Sequence, residues 1–287
     1  ESTEQNVDNN VNQIAIGQKN TVWCVTNGKV YEVIKNNTHQ IKFPKKITTI
    51  LPDTNGLWLA DDAGVLYHKK KQGLDSIKLQ LHVGTNTISI TKIFRTKQGQ
   101  LLLATTRGLY ILKDSTAIPF TVKGFPLDKI PPILALSEDK YGAIWAGLTS
   151  GVLRITDTTI NYFNKKNGLC DNAIVDILTD AEGNVWFASD GQGVYRFSGA
   201  QFTILDESSG LPSAQVMSIE ADPNGKLYLG TYDAGFYTYQ NGKITKQALP
   251  FPTSSAINAI KFYQGHVWLG IGGNGLVKYN GNSFVVY

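Results

Sequence analysis

The chain has 287 residues, 42% hydrophobic and 17% charged, a balance that supports a packed core and excludes a disordered chain. Its net charge of +4, from 27 Lys and Arg against 23 Asp and Glu, is too even for a nucleic-acid binder. No apolar run approaches the ~18 residues of a membrane span, and two cysteines exclude a disulfide scaffold or a Cys-built zinc site.

Residues 1–10 are polar and are expected to form a flexible N-terminal segment. From residue 11 onward one unit recurs. The first copy sets Val11 and Ile14 ahead of TVWCVTNGKVYEV (21–33). The second sets Ile47 and Ile50 ahead of NGLWLADDAGVLYH (55–68), and the third Ile90 and Ile93 ahead of GQLLLATTRGLYIL (99–112). The fourth sets Ile133 and Leu136 ahead of GAIWAGLTSGVLRI (142–155), and the fifth Ile174 and Ile177 ahead of GNVWFASDGQGVYRF (183–197). Val216 and Ile219 precede GKLYLGTYDAGFYTY (225–239), and Ile257 and Ile260 precede GHVWLGIGGNGLVKY (265–279).

The aligned bulky positions are Trp23, Trp58, Leu102, Trp145, Trp186, Tyr228 and Trp268, spaced 35, 44, 43, 41, 42 and 40 residues apart. A period of about 40–45 residues with four short β runs per unit is that of a propeller blade. The reading is therefore all-β: one seven-bladed propeller of four-stranded antiparallel blades over residues 11–287. In the fifth blade the runs are Ile174–Leu178, Val185–Ala188, Gly193–Phe197 and Gln201–Leu205. D-x-x-G turns such as Asp180–Gly183 and Asp222–Gly225 join the first two runs. The large rings of Trp58, Trp145, Trp186 and Trp268 are expected to fill the wedges between sheets. The repeated glycines, such as Gly193 and Gly235, fit tight strand connections.

The pattern I-x-x-I, D-x-x-G-x-x-W-x-G-T, G-G-x-x-R/Y resembles the two-component regulator propeller repeat. Gly183–Phe197, Gly225–Tyr239 and the link GAQFTILDESSGLPSAQV (199–216) carry the resemblance most closely. Thr106-Arg107-Gly108 and Leu102 depart from it. The resemblance implies a sensor domain of a bacterial hybrid or histidine-kinase receptor. That domain would be extracytoplasmic, on the periplasmic or outer face of the membrane, with signalling output domains outside this chain. It also implies a small polar ligand, a glycan or oligosaccharide among them.

No G-x-S-x-G elbow, H-E-x-x-H pair, Walker A loop or EF-hand loop occurs. His39, His68, His82 and His266 occupy different parts of the repeat, so neither a metal site nor a cofactor is expected. Cys24 lies in the first blade and Cys170 in a link between blades that are not neighbours of the first, so both are expected as free thiols, with Cys24 buried. Ligand contacts are expected on the turns between second and third strands, which one end of a ring brings together. The candidates are Asp61, Asp62, Arg107, Asp190, Gln192, Tyr232, Asp233 and Asn274: carboxylates, amides, a guanidinium and an aromatic plane, the mixture a sugar requires. Two other readings compete. One is a protein-interaction propeller without a small ligand. The other is an enzyme like the streptogramin lyases, which share a W-F-T-E repeat, but no blade here has Glu at that place.

Overall fold

Seven four-stranded antiparallel sheets follow one another along the chain in the computed structural model, each built from consecutive strands. It describes residues 7–287 apart from 36, 44, 71–72, 79–81, 84–85, 170–171 and 253. The innermost strands are Val11–Ile16, Ile47–Pro52, Ile90–Arg95, Ile133–Glu138, Ile174–Thr179, Val216–Ala221 and Ile257–Tyr263. The second strands, which carry the bulky positions, run Val22–Thr26, Gly56–Asp61, Leu101–Thr105, Ile144–Leu148, Val185–Ser189, Leu227–Thr231 and His266–Ile271. The fold is the expected seven-bladed propeller. Two links between blades carry small hairpins that the repeat did not announce, His82–Val83 with Asn86–Thr87 and Thr121–Val122 with Phe125–Pro126.

The recurring [IV]-x-x-[IL] has a backbone cause. In a regular strand residues three apart point to opposite faces. All seven innermost strands contain one irregularity, at Val11/Gln13, Ile47/Thr49, Ile90/Lys92, Ile133/Ala135, Ile174/Asp176, Val216/Ser218 and Ile257/Ala259. The extra residue of such a bulge returns the fourth residue to the face of the first. Both apolar residues of each pair are consequently buried. The repeated glycine after each second strand has positive φ in all seven blades, from 77° at Gly64 to 137° at Gly108, a conformation that disfavours any Cβ.

Polar residues of the inner strands staple every pair of neighbouring blades. Gln13 exchanges two hydrogen bonds of 2.9 Å with the backbone of Ile50. Thr48 donates to the Ile90 carbonyl at 3.1 Å and Thr91 to the Ile133 carbonyl at 2.6 Å. Ser137 and Thr179 share a hydrogen bond of 3.2 Å. Asp176 accepts from the Ile219 N–H at 3.1 Å, and Ser218 donates to the Ile257 carbonyl at 2.9 Å. Asn258 donates to Asn10 at 3.1 Å across the ring closure.

The first turn of four blades couples its carboxylate to the bulky ring. Asp53, Asp139 and Asp180 each accept a backbone N–H of their own turn and the indole Nε1–H of Trp58, Trp145 and Trp186, at 2.7, 3.0 and 2.7 Å. Asp222 does the same for the Tyr228 hydroxyl at 3.2 Å. Where Leu102 replaces the ring there is no donor, and Thr96 takes the turn position. Opposite the ring a cation often stacks: Arg154 on Trp145, Arg196 on Trp186 and Lys278 on Trp268, at 5.6, 5.6 and 5.4 Å. His68 takes this place on Trp58, stacked at 4.0 Å.

The ring closes without exchanging a strand. Val7, Val11 and Ile14 pack with Trp268, Leu276 and Tyr287 in one cluster. A Cβ on Gly270 would stand 2.7 Å from Val11 Cγ1, so the glycine lets the first blade approach the seventh. Of the segment 1–10 expected to be flexible, residues 1–6 lie outside the described residues. Residues 7–10 are held: Val7 is 2% exposed, and Asp8 pairs with Lys29 at 2.8 Å.

Candidate functional site

Four antiparallel strands in sequence order place their turns alternately. The first and third turns of every blade lie at one end of the ring. The second turns and the links between blades lie at the other. All eight candidate ligand residues are therefore at the link end, on five different blades.

Their surroundings separate them. Asp61 is fully buried. It accepts from the N–H groups of Ala63 and Val65 and from the Tyr67 hydroxyl, at 3.0, 2.8 and 2.8 Å. Its oxygens are spent on the turn, so Asp61 is a structural residue and not a surface contact. Asn274 is tied to Ser255 and to the Gly272 carbonyl. Asp62 is exposed and Arg107 half-buried on blades two and three, away from the rest.

Blades five and six do bring candidates together. Asp190 accepts from Gln215 Nε2 at 2.8 Å, and the Gln215 carbonyl accepts the Tyr232 N–H at 3.0 Å. Gln215 thus joins the two turns, and no repeat position marked it in the sequence. Ser213 donates to Asp233 at 2.6 Å. Gln192 is exposed and accepts from the Tyr195 hydroxyl. Tyr232, on the turn that Gln215 ties to Asp190, has 53% of its surface exposed.

The links leading into these blades share one local design. Asn164 and Asp206 cap single 3-10 turns, Lys165–Asn167 and Glu207–Ser209, which end at Gly168 and Gly210, both at φ 92°. Leu169 and Leu211 then turn inward and are 5% and 0% exposed.

The ring axis carries a channel. At the link end about 200 Å³ is lined by the residues between the repeated apolar pairs, such as Asn12, Thr48, Thr91 and Asn258. At the other end a funnel of about 710 Å³ opens between the first turns. Gln13, Ile14, Lys92, Asp176 and Lys261 line both parts and form the waist between them. Lys261 pairs with Glu220. Desolvation acts to lower the Lys261 ammonium, but Glu220 and Asp176 outweigh it and hold it above its ordinary value. Burial pushes the Lys92 ammonium below its ordinary value, against the pull of Asp176. Lys92 and Asp176 sit inside the apolar pairs that define the repeat, Glu220 and Lys261 directly after them, and that placement was the readable signal for an axial site.

Among the described residues no group of three or more His, Cys, Asp or Glu is arranged to hold a metal. His68 is buried under Trp58, His39 lies on the outermost strand of blade one, and His266 opens a second strand of blade seven. The side chain of His82 and all of Cys170 lie outside the described residues. No helix among the described residues is long and apolar enough to cross a membrane.

Two stretches, residues 168–191 and 210–233, match the family model of the two component regulator propeller. Each match starts at the capping glycine of a link and ends on the second turn of blade five or six. The chain is similar in structure to the extracellular domain of the putative hybrid two component system BT3049 from B. thetaiotaomicron, with a TM-score of 0.77 at 18% identity. That likeness covers 98% of this chain and 40% of the other, so the chain spans two fifths of that ectodomain. Virginiamycin B lyase from Staphylococcus aureus is similar at a TM-score of 0.75 and 14% identity, covering 96% of this chain and 97% of the lyase. YCF48 bound to D1 peptide is similar at 0.74 and 14%, covering 97% and 94%. At these identities the likenesses establish the propeller fold. No curated protein matches the chain.

Proposed function

We propose that this chain, which carries two-component regulator propeller repeats, is an extracytoplasmic ligand-binding sensor module of a bacterial two-component-type receptor. The module recognises a small polar ligand, an oligosaccharide or similar compound, and does no chemistry on it. The observation that carries this reading is the coincidence of the family repeats with the patch on blades five and six. Both repeat matches end on the turns that bear Asp190 and Tyr232. A half-exposed tyrosine on a turn next to Asp233 and tied through Gln215 to the turn of Asp190 and Gln192 suits the apolar face and hydroxyl rim of a sugar. Signal output is assigned to domains outside this sequence.

The test is a screen of soluble glycans by thermal shift, followed by calorimetry on Asp190→Ala and Tyr232→Ala. Loss of one hydrogen bond to a charged group should cost about 1.5–3 kcal/mol of affinity. Parent-like binding by both variants would move the site elsewhere. Binding of a protein segment with no small-molecule hit would favour the interaction-module reading.

A further inference from the structure

Among the described residues, one cation of the axial channel, Lys92, has neither a hydrogen bond nor an ion pair. Five basic side chains line the funnel: Lys92, Arg95, Lys97, Lys140 and Lys261. Four are engaged. Arg95 reaches Asp53 at 3.1 Å, Lys97 the Asp139 carbonyl at 2.8 Å, Lys140 the Glu182 carbonyl at 3.2 Å, and Lys261 pairs with Glu220. Lys92 makes no hydrogen bond or ion pair among the described residues. Three carboxylates also line the funnel, and each is turned onto N–H groups. Glu138 accepts the Lys97 N–H at 2.6 Å. Asp176 accepts from Ile177 and Ile219, both at 3.1 Å. Asp180 accepts from Asn184 and Trp186, at 2.8 and 2.7 Å.

From this arrangement we propose that the channel waist is a binding site for a small oxyanion, a carboxylate or sulfate group, received by Lys92 and entering through the funnel between the first turns. A half-buried ammonium with no protein acceptor keeps its donors open to whatever enters the channel. An oxyanion supplies the missing acceptor through a charge-assisted hydrogen bond. The funnel, at about 710 Å³, falls in the range of small-molecule sites, so the anionic group can belong to a free ion or to an organic acid. Fixed N–H donors hold the neighbouring carboxylates, which leaves Lys92 as the group with unsatisfied donors. The site lies at the waist and opens at the end of the ring opposite Tyr232, and it stands independently of the sensor reading.

The experiment titrates the protein with sodium glucuronate, sodium sulfate and neutral glucose at constant ionic strength, read by calorimetry. Parent, Lys92→Met and Lys243→Met are compared; Lys243 is an exposed cation on the outermost strand of blade six. The parent and Lys243→Met bind at least one anion and not glucose. Lys92→Met loses affinity by at least about tenfold, the weight of one charge-assisted hydrogen bond. Binding of glucuronate alone assigns the site to an organic acid, and binding of sulfate assigns it to the oxyanion itself; both support the proposal. A cooperative thermal melt of Lys92→Met shows that its loss of binding is not unfolding. A parent that binds neither anion, or a folded Lys92→Met variant that binds like the parent, overturns the proposal.

Discussion

The indole Nε1–H of Trp145 donates to Asp139 Oδ2 at 3.0 Å, while Asp139 Oδ1 holds the N–H groups of Tyr141 and Ala143 at 2.9 and 3.0 Å. One carboxylate therefore closes the turn and fixes the ring that fills the wedge to the next blade. On that side Trp145 meets Phe187 at 5.3 Å and Phe197 at 5.2 Å. Turn chemistry and blade packing are one device.

The device predicts paired losses. Trp186→Ala should destabilise by about 3–5 kcal/mol, as for other buried aromatics. Asp139→Ala, which leaves a buried indole N–H without its acceptor, should cost about 1–3 kcal/mol. Lys243→Ala should leave the denaturation midpoint unchanged. Lys226 is a poorer control than its turn position suggests, because its ammonium lies 5.4 Å over the Tyr228 ring. Equal midpoints for all variants in chemical denaturation would contradict the packing assignment.

Asp53 predicts an acid limb. Its burial raises the carboxyl, but the Trp58 indole N–H, the Asn55 N–H and His68 outweigh that and hold it below its ordinary value. A depressed carboxyl contributes stability above its unfolded pKa of about 3.9. That contribution is lost as pH falls through the folded value. Asp53→Asn should therefore lose less stability than the parent as pH falls below about 4. Superimposable acid limbs in thermal melts would contradict this.

Cys24 predicts protected chemistry. It is fully buried, and burial pushes its thiol up to about 12. The thiolate is the reactive form. In a Cys170→Ser background the native protein should resist alkylation at pH 8, and denaturant should expose one thiol. Rapid native labelling would show that the first blade opens easily.

Ring closure predicts an N-terminal dependence. Removing residues 1–10 uncovers the cluster of Val11, Trp268 and Tyr287 and deletes the Asp8–Lys29 pair. Loss of the buried Val7 side chain alone removes about 1.5–3 kcal/mol. The truncated chain should melt lower than the parent, with hydrogen exchange rising first in blades one and seven. An unchanged melt would show that the segment is dispensable.

The seven blades were legible because each repeats the same three signals: the apolar pair, the bulky residue, a ring in all but blade three, and the glycine of positive φ. The bulge between the apolar residues was implicit in their spacing of three. The site was legible only in part. An Asp before a turn glycine looks the same whether it caps backbone, as Asp61 does, or stands on an exposed rim, as Asp233 does. Gln215 lies outside the repeated positions, so its bridge between Asp190 and Tyr232 emerges only when two blades pack. The axial charges Lys92 and Asp176 were visible as letters inside the apolar pairs. Their placement on one channel needs blades three and five to face one axis.

The sensor reading is tested most directly by hydrogen–deuterium exchange of the chain with and without the best glycan from the screen. The account predicts added protection on the turns holding Asp190–Gln192 and Tyr232–Asp233 and on the link through Gln215, with the outer strands unchanged. Protection confined to the outer strands, or a complete screen with no binding glycan, would contradict it.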